Sequence, residues 1–326
     1  MSGQRFSKNS KPAAAVASEG PAPNHALKPE LALGLERQLD KLLAAPLAPG
    51  LYIVSTPIGN LADISIRALC VLASADAVFC EDTRHSRKLL AAYGMGRRLE
   101  AYHDFSGDKD RARILAALTH GRSVALISDA GTPLIADPGF KLVRAAIEEG
   151  IGVFAIPGPS ALLAALVTAG LPTDRFHFGG FLPPKQAARR HELEAARAIP
   201  GTLVFYESGA RIEETAEALA EIFPDRPVAI ARELTKLFET ALRGSPSAIL
   251  EEIRASKPAG EFVILIGPGE QKPPEREDIE NALRSAMRRV SLKEAVEEVA
   301  KGLGVGRKQV YNLALQARSK GNDRAR

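Results

Sequence analysis

Three stretches rich in glycine and proline, residues 55–60, 128–139 and 157–160, each follow a short apolar run. Glycine lets backbone come close to a ligand, and proline fixes the shape of a loop. Between them the stretches offer backbone amides, the hydroxyls of Thr132 and Ser160, and apolar contacts from Ile58 and Ile135. That set suits a zwitterionic adenosine-type ligand held by polar contacts and packing. Neither a GxGxxG fingerprint after a strand nor a GxxxxGK[ST] loop is present, which disfavours the common phosphate cradles. HExxH and GxSxG are also missing, which removes the simplest hydrolase readings. A second chemical feature is the run from Glu81 to Lys88, which carries both signs of charge directly after the apolar residues 77–80.

These stretches need elements to position them. Residues 51–54, 77–80, 124–127 and 153–156 read as short buried strands, and residues 66–72, 86–93, 111–118, 140–149 and 161–169 as helices. Strands alternating with helices predict a mostly parallel α/β sheet, whose loops at the C-terminal strand ends line the ligand crevice. A linker is predicted at 170–174. A second α/β unit follows, with strands at 176–178, 202–206, 227–232 and 262–266 and helices at 186–198, 212–222 and 247–255. The polar stretch up to Asp278 reads as a second linker. Leu292, Ala295, Val296, Val299, Ala300 and Leu303 fit one helical face, and residues 307–317 a second helix. The spacing is like a helix-turn-helix with Arg307 and Lys308 opening the second helix, although a plain helical hairpin has the same pattern.

The chain has 326 residues, 45% of them apolar and 25% charged, so a two-domain globular protein is expected. No stretch approaches 18 uninterrupted apolar residues, and no compact apolar segment marks the N-terminus as a secretory signal. Cys70 and Cys80 are the only cysteines. They leave no CxxC metal site or disulfide scaffold and fit a reducing, cytoplasmic setting. Net charge is +4 and unevenly placed: residues 284–326 hold eleven Lys or Arg against four Asp or Glu. Such a basic end suits a polyanion such as RNA, or is simply a solvated helical face. Residues 1–24 have no apolar period and are predicted to be disordered; residues 31–43 form a short helix.

Longer motifs carry a resemblance. Residues 55–64 (STPIGNLADI), 81–90 (EDTRHSRKLL), 128–139 (SDAGTPLIADPG) and 157–161 (PGPSA) resemble the bacterial 16S rRNA (cytidine-2′-O)-methyltransferase family, ribosomal small subunit methyltransferase I, of the tetrapyrrole methylase superfamily. The likeness runs in family order from Leu51 to about Pro268 and includes Tyr206-Glu207-Ser208 and residues 231–236 (ARELTK). Residues 1–48 lie outside it. The resemblance implies two α/β domains of the tetrapyrrole methylase type with a cleft between them, plus a small helical C-terminal extension. It implies S-adenosylmethionine as methyl donor, no metal, and a homodimer. The implied substrate is the ribose 2′-hydroxyl of a decoding-centre cytidine in 16S rRNA, within the small ribosomal subunit. The donor would face Ile58, Thr132, Ile135, Ser160, Ala161 and Tyr206, with Asp129 and Gly131 of the central loop beside them.

Methyl transfer from a sulfonium is an in-line displacement, so the enzyme chiefly aligns the reacting atoms. A ribose hydroxyl is a weak nucleophile that a base or a positive field would help. Asp82 is the first choice to contact it, as base or orienter; the plain alternative is an N-cap on the next helix. Arg84 and His85 complete the candidate catalytic group. Arg84, Arg87 and Lys88 are candidates for rRNA phosphates, as are Arg307 and Lys308; a solvated helix face is the alternative. His103, near the cleft in Tyr102-His103-Asp104-Phe105, is a further candidate base. Glu207 and Arg232 are expected to pair at the cleft, catalytically or structurally. The expected boundaries are 1–48 for the extension, 49–172 and 173–269 for the two α/β domains, and 279–326 for the basic helical end. Competing readings are a methylase of a tetrapyrrole or other small molecule, and a non-enzymatic RNA-binding module. The charged 81–90 run argues against the first and the ligand loops against the second.

Overall fold

The computed structural model describes residues 29–103, 107–269 and 276–322. The disorder expected for residues 1–24 falls outside these, as do Asp104 and Phe105. Pro29–Leu43 form helix α1, with Glu30 in the first turn and Lys41 in the last, each of the sign the helix dipole favours. None of its residues is buried.

The first sheet has strands β1 (Gly50–Val54), β2 (Ala77–Cys80), β3 (Leu99–Ala101), β4 (Ser123–Ile127) and β5 (Val153–Ile156). Their order is β3-β2-β4-β1-β5, and every pairing is parallel. Helices α2 (Ile66–Ser74), α3 (Thr83–Ala92), α4 (Asp108–Thr119) and α5 (Phe140–Glu148) connect the strands. The pleat sends alternate residues to opposite faces. Tyr52 and Val54 therefore pack with Ala68, Leu72 and Leu90 of α2 and α3, while Leu51 and Ile53 pack with Ile114, Leu118 and Leu142 of α4 and α5. A strand covered on both sides reads as an unbroken apolar run, which is why β1 and β4 were legible.

Helix α6 (Ala161–Thr168) leads to a second sheet of strands β6 (Phe176–Phe181), β7 (Thr202–Ser208), β8 (Val228–Arg232), β9 (Thr240–Gly244) and β10 (Glu261–Ile266), in the order β6-β7-β10-β8-β9. This sheet is mixed. Only β6 and β7 pair in parallel, while β10 runs antiparallel to both β7 and β8, and β8 to β9. Helices α7 (Gln186–Ala196), α8 (Ile212–Ile222) and α9 (Pro246–Ser256) cover one face through Leu193, Leu219 and Ile253. The other face receives Ala165, Leu166 and Ala169 from the α6 region against Val204, Ala229 and Val263. Ile58 of the first β-strand loop packs into that same cluster, so the two sheets are joined through it.

Strands β3 and β9 carry no signal in the sequence. Both are edge strands with exposed or half-exposed residues, so neither shows an apolar run. Residues 153–156 form the expected strand, β5, but it is not buried: it lies at the sheet edge with Phe154 and Ala155 exposed, because only β1 pairs with it. Two helices were expected at the C-terminus, and the described residues form three: α10 (Arg276–Ala286), α11 (Leu292–Leu303) and α12 (Arg307–Asn322). α10 begins inside the segment read as a linker. Its apolar side is narrow, Ile279, Leu283 and Ala286, and is buried against Val296, Val299 and Val310 of the other two helices. Ser291 and Glu294 form a reciprocal capping box at the start of α11, and Gly304 ends it at φ 64°.

Candidate active site

β4, β1 and β5 are neighbours and run parallel, so the three loops leaving their C-terminal ends lie side by side. Backbone bonds tie two of them: Thr56 N donates to Gly131 O at 2.8 Å, and Gly131 N to Thr56 O at 3.1 Å. Thr132 ties all three, with its Oγ1 2.9 Å from Ser55 Oγ and donating to Pro159 O at 3.2 Å. Gly131 sits at φ 78°, where a Cβ would stand 3.3 Å from Ile58 Cγ2. Leu134 and Ala136, on either side of Ile135, are held at φ 73° and 63°. Left-handed non-glycine residues cost about 1–3 kcal/mol each and cluster where a ligand is gripped.

Above these loops is a cavity of about 350 Å³, within the range of small-molecule sites. Ile58, Asp129, Gly131, Thr132 and Ile135 line it from the first two loops, and Ser160 and Ala161 from the start of α6. Tyr206 of β7 closes it from the second sheet. The structure therefore brings together all the residues expected to face a donor. Tyr206 also holds the two halves in register, because its hydroxyl accepts from Leu162 N at 3.1 Å. The rings of Phe178 and Phe181 stand edge-on to it at 4.9 and 5.3 Å. Burial pushes the Tyr206 phenol above its ordinary range, and the Asp137 charge adds to the shift.

Lys236 and Glu261 of the second half also line the cavity and were not foreseen as site residues. Lys236 Nζ reaches Glu233 Oε1 and Glu261 Oε2, each at 2.9 Å. The Lys236 bond leads the effects that hold the Glu233 carboxyl below the usual carboxylate range. Lys236 lay within the 231–236 motif and was legible there; Glu261 is brought in only by pairing of strands far apart in sequence.

The expected Glu207–Arg232 pair does not form. Glu207 and Arg232 each sit opposite Phe262, on strands to either side of β10. Two strand spacings, roughly 9–10 Å, separate their backbones. Buried Glu207 instead accepts from Arg211 at 2.6 Å, Thr215 Oγ1 at 2.8 Å and Ser208 N at 2.8 Å. Arg232 Nε donates to Ala259 O at 2.8 Å.

The charged run forms the start of α3. Asp82 caps it, accepting from Arg84 N at 2.8 Å, and pairs with Arg84 Nη2 at 2.8 Å. The Arg84 guanidinium and amide hold the Asp82 carboxyl far below the usual carboxylate range. A carboxylate so stabilised in its charged form is a poor proton acceptor, so the geometry favours an orienting role over a base. Asp82, Arg84, His85, Arg87 and Lys88 do not line the cavity. The link is Asp129, whose Oδ1 accepts from Asp82 N at 3.0 Å. His85, Arg87 and Lys88 are exposed along α3, and Arg87 and Lys88 make no ion pair among the described residues. His103 is exposed and Tyr102 buried. Arg307 faces Glu297 at 3.8 Å and Lys308 is exposed; both belong to the separate three-helix cluster.

Residues 50–249 match the family model for tetrapyrrole (corrin/porphyrin) methylases, and residues 273–318 that for the RsmI C-terminal HTH domain. Among solved structures, diphthine synthase superimposes with a TM-score of 0.52 at 17% identity, covering 67% of this chain and 89% of that one. A conserved hypothetical protein of Aeropyrum pernix K1 gives 0.51 at 20%, covering 84% and 98%. Fold and family model thus define a methyltransferase of the tetrapyrrole methylase class. A Mesorhizobium japonicum protein named ribosomal RNA small subunit methyltransferase I is 49% identical over 275 residues, which is 84% of this chain and 94% of the relative. One of the same name from Escherichia coli O157:H7 is 43% identical, over 82% and 94%. The chain belongs to the ribosomal RNA small subunit methyltransferase I family.

Proposed function

We propose that the protein transfers a methyl group from S-adenosylmethionine to the ribose 2′-oxygen of a decoding-centre cytidine in 16S rRNA. The observation that carries this reading is the single cavity in which the three strand-end loops, the start of α6 and Tyr206 converge, in a chain whose relatives are named for this class of substrate. The residues fit such a donor. Gly131 opens space that a side chain would fill, Ile58 and Ile135 offer apolar contact, and Thr132 and Ser160 offer hydroxyls. When bound, the donor supplies a methyl group already activated on a sulfonium.

What remains for the chain is alignment. The ribose oxygen forms a new bond to the methyl carbon as the carbon–sulfur bond breaks and its electron pair stays on sulfur. The hydroxyl proton passes to solvent or to a neighbouring base. Asp82 orients Arg84 at the start of α3, and Asp129 joins that segment to the cavity wall. Arg84, Arg87 and Lys88, with His85 beside them, present the cationic side of the site to rRNA phosphates; Arg307 and Lys308 add a second contact from α12. The same reading divides the chain into a donor-binding part over 49–172 and a part over 173–269 that completes the cleft. It takes the protein to act as a cytoplasmic homodimer, without a metal. Among the described residues no helix is long and apolar enough to cross a membrane.

The test has two arms. Calorimetry with S-adenosylmethionine should show binding at one site per chain. Small ribosomal subunits from a strain lacking the modification should then incorporate label from methyl-labelled donor, and nucleoside analysis should find 2′-O-methylcytidine. Donor binding without label in the subunit would leave the methylase and remove the rRNA target.

A further inference from the structure

The turn between β8 and β9 carries a feature the donor cavity does not use. Leu237 and Phe238 are 89% and 70% exposed. A single exposed apolar residue needs no explanation. Here two stand together at the tip of a turn that is locked at both ends. Lys236 N donates to Glu233 O at 3.0 Å, Glu239 N to Lys236 O at 3.2 Å, and Thr235 N to Glu239 Oε2 at 2.7 Å. Glu233 and Thr235 are held at φ 51° and 64°, further left-handed non-glycine positions. The segment is also wedged against the first loop, where a Cβ on Gly59 would stand 2.9 Å from Thr235 Oγ1. Lys236, one residue before the pair, lines the cavity. Phe238 is two residues along, so its backbone lies within about 8 Å of the Lys236 backbone. The chain thus holds an aromatic and a branched aliphatic side chain out in solvent, on a rigid support, directly after a residue that lines the cavity.

Resting on the methyl-transfer reading above, we infer that Leu237 and Phe238 form a stacking wedge for the RNA substrate. A ribose in folded RNA reaches an enclosed cavity only when its nucleotide leaves its stack. The exposed face of a base is then best met by an aromatic ring, and the gap left behind by an apolar side chain. Phe238 supplies the ring and Leu237 the filler. Contacts of this kind do not discriminate strongly between bases; the wedge holds the strand open while Lys236 and the loops below set the position of the sugar.

The chain contains no tryptophan, so Phe238→Trp introduces the chain's single indole at the tip. Its emission should be quenched when small subunits bind, because a stacked base quenches indole, and should be unaffected by S-adenosylmethionine alone. Phe238→Ala should raise the KM for small subunits about 5- to 150-fold, the range of one base stack, with donor affinity unchanged. Phe238→Tyr should restore most of the loss. Unaltered subunit kinetics in Phe238→Ala overturns the wedge. So does an indole signal in Phe238→Trp that changes with protein concentration rather than with RNA, which would place the turn between two copies of the chain. Wild-type protein with no activity on subunits would instead overturn the underlying methyl-transfer reading.

Discussion

The backbone amide of Asp82 donates to the carboxylate of Asp129 at 3.0 Å. One bond therefore joins the start of the charged helix α3 to the wall of the cavity, across two neighbouring strands of the first sheet. Asp129 does two tasks: it faces the cavity and it fixes where α3 begins. Asp129→Ala should lower kcat/KM by roughly 10- to 100-fold, the weight of a hydrogen bond to a charged group. Asp129→Asn keeps an oxygen for the Asp82 amide and should recover much of the loss. Steady-state kinetics on small subunits, with calorimetry of the donor, separates the effect on turnover from the effect on binding.

The Asp82 carboxyl is held low chiefly by its hydrogen bonds to Arg84. A depressed folded-state pKa gives a contribution that is fully present above the unfolded value, near 3.9, and is lost only as pH falls through the folded value. Between about pH 5 and 9 Asp82 stays charged in either state. The kcat–pH profile should show no limb from Asp82 in that window, and Asp82→Asn should lower activity without changing the profile's shape. A limb that disappears in Asp82→Asn would restore Asp82 as a base.

Gly59 is the close approach between the two halves of the site. A Cβ there would run into Lys236 Cγ and stand 3.1 Å from Leu234 O. Lysine can swing aside, but the backbone carbonyl cannot move without shifting its turn. Gly59→Ala should weaken donor binding about 5- to 150-fold, the equivalent of about 1–3 kcal/mol of overpacking, while circular dichroism remains native. Donor affinity equal to wild type would show that the two segments can separate freely.

Arg189 is fully buried in α7, and its Nε and Nη1 have no hydrogen-bond partner among the described residues. Its ion-pair partner is Glu214 of α8, whose side chain is 57% exposed. Removing only the carboxylate strands the buried cation. Glu214→Ala should destabilise by about 1–3 kcal/mol, below the value for fully buried pairs because water reaches Glu214. Arg189→Met, with similar reach and no charge, should be neutral or stabilising. Thermal unfolding of the two variants gives the comparison, and a destabilised Arg189→Met would show that the pair itself is favourable.

Local signals in the chain determined the buried strands β1, β2 and β4, the helices that follow them, and the three loops with Thr132, Ser160 and Ile58; they also marked β5 as a strand, but not that it lies at the edge with Phe154 and Ala155 exposed. A strand covered on both faces has an apolar run and glycine or proline at its end, and both features lie within a few residues. The edge strands β3 and β9 had no such run, and α10 showed too narrow an apolar stripe beside its many charges. Tertiary structure alone decided the mixed pairing of the second sheet, the seat of Glu261 at the cavity, and the separation of Glu207 from Arg232 by a whole strand. It also decided that Asp82 stands behind Asp129 rather than in the cavity. Each of these depends on which distant segments lie side by side, and strand pairing places residues by register across the sheet, a relationship that spacing along the chain does not encode.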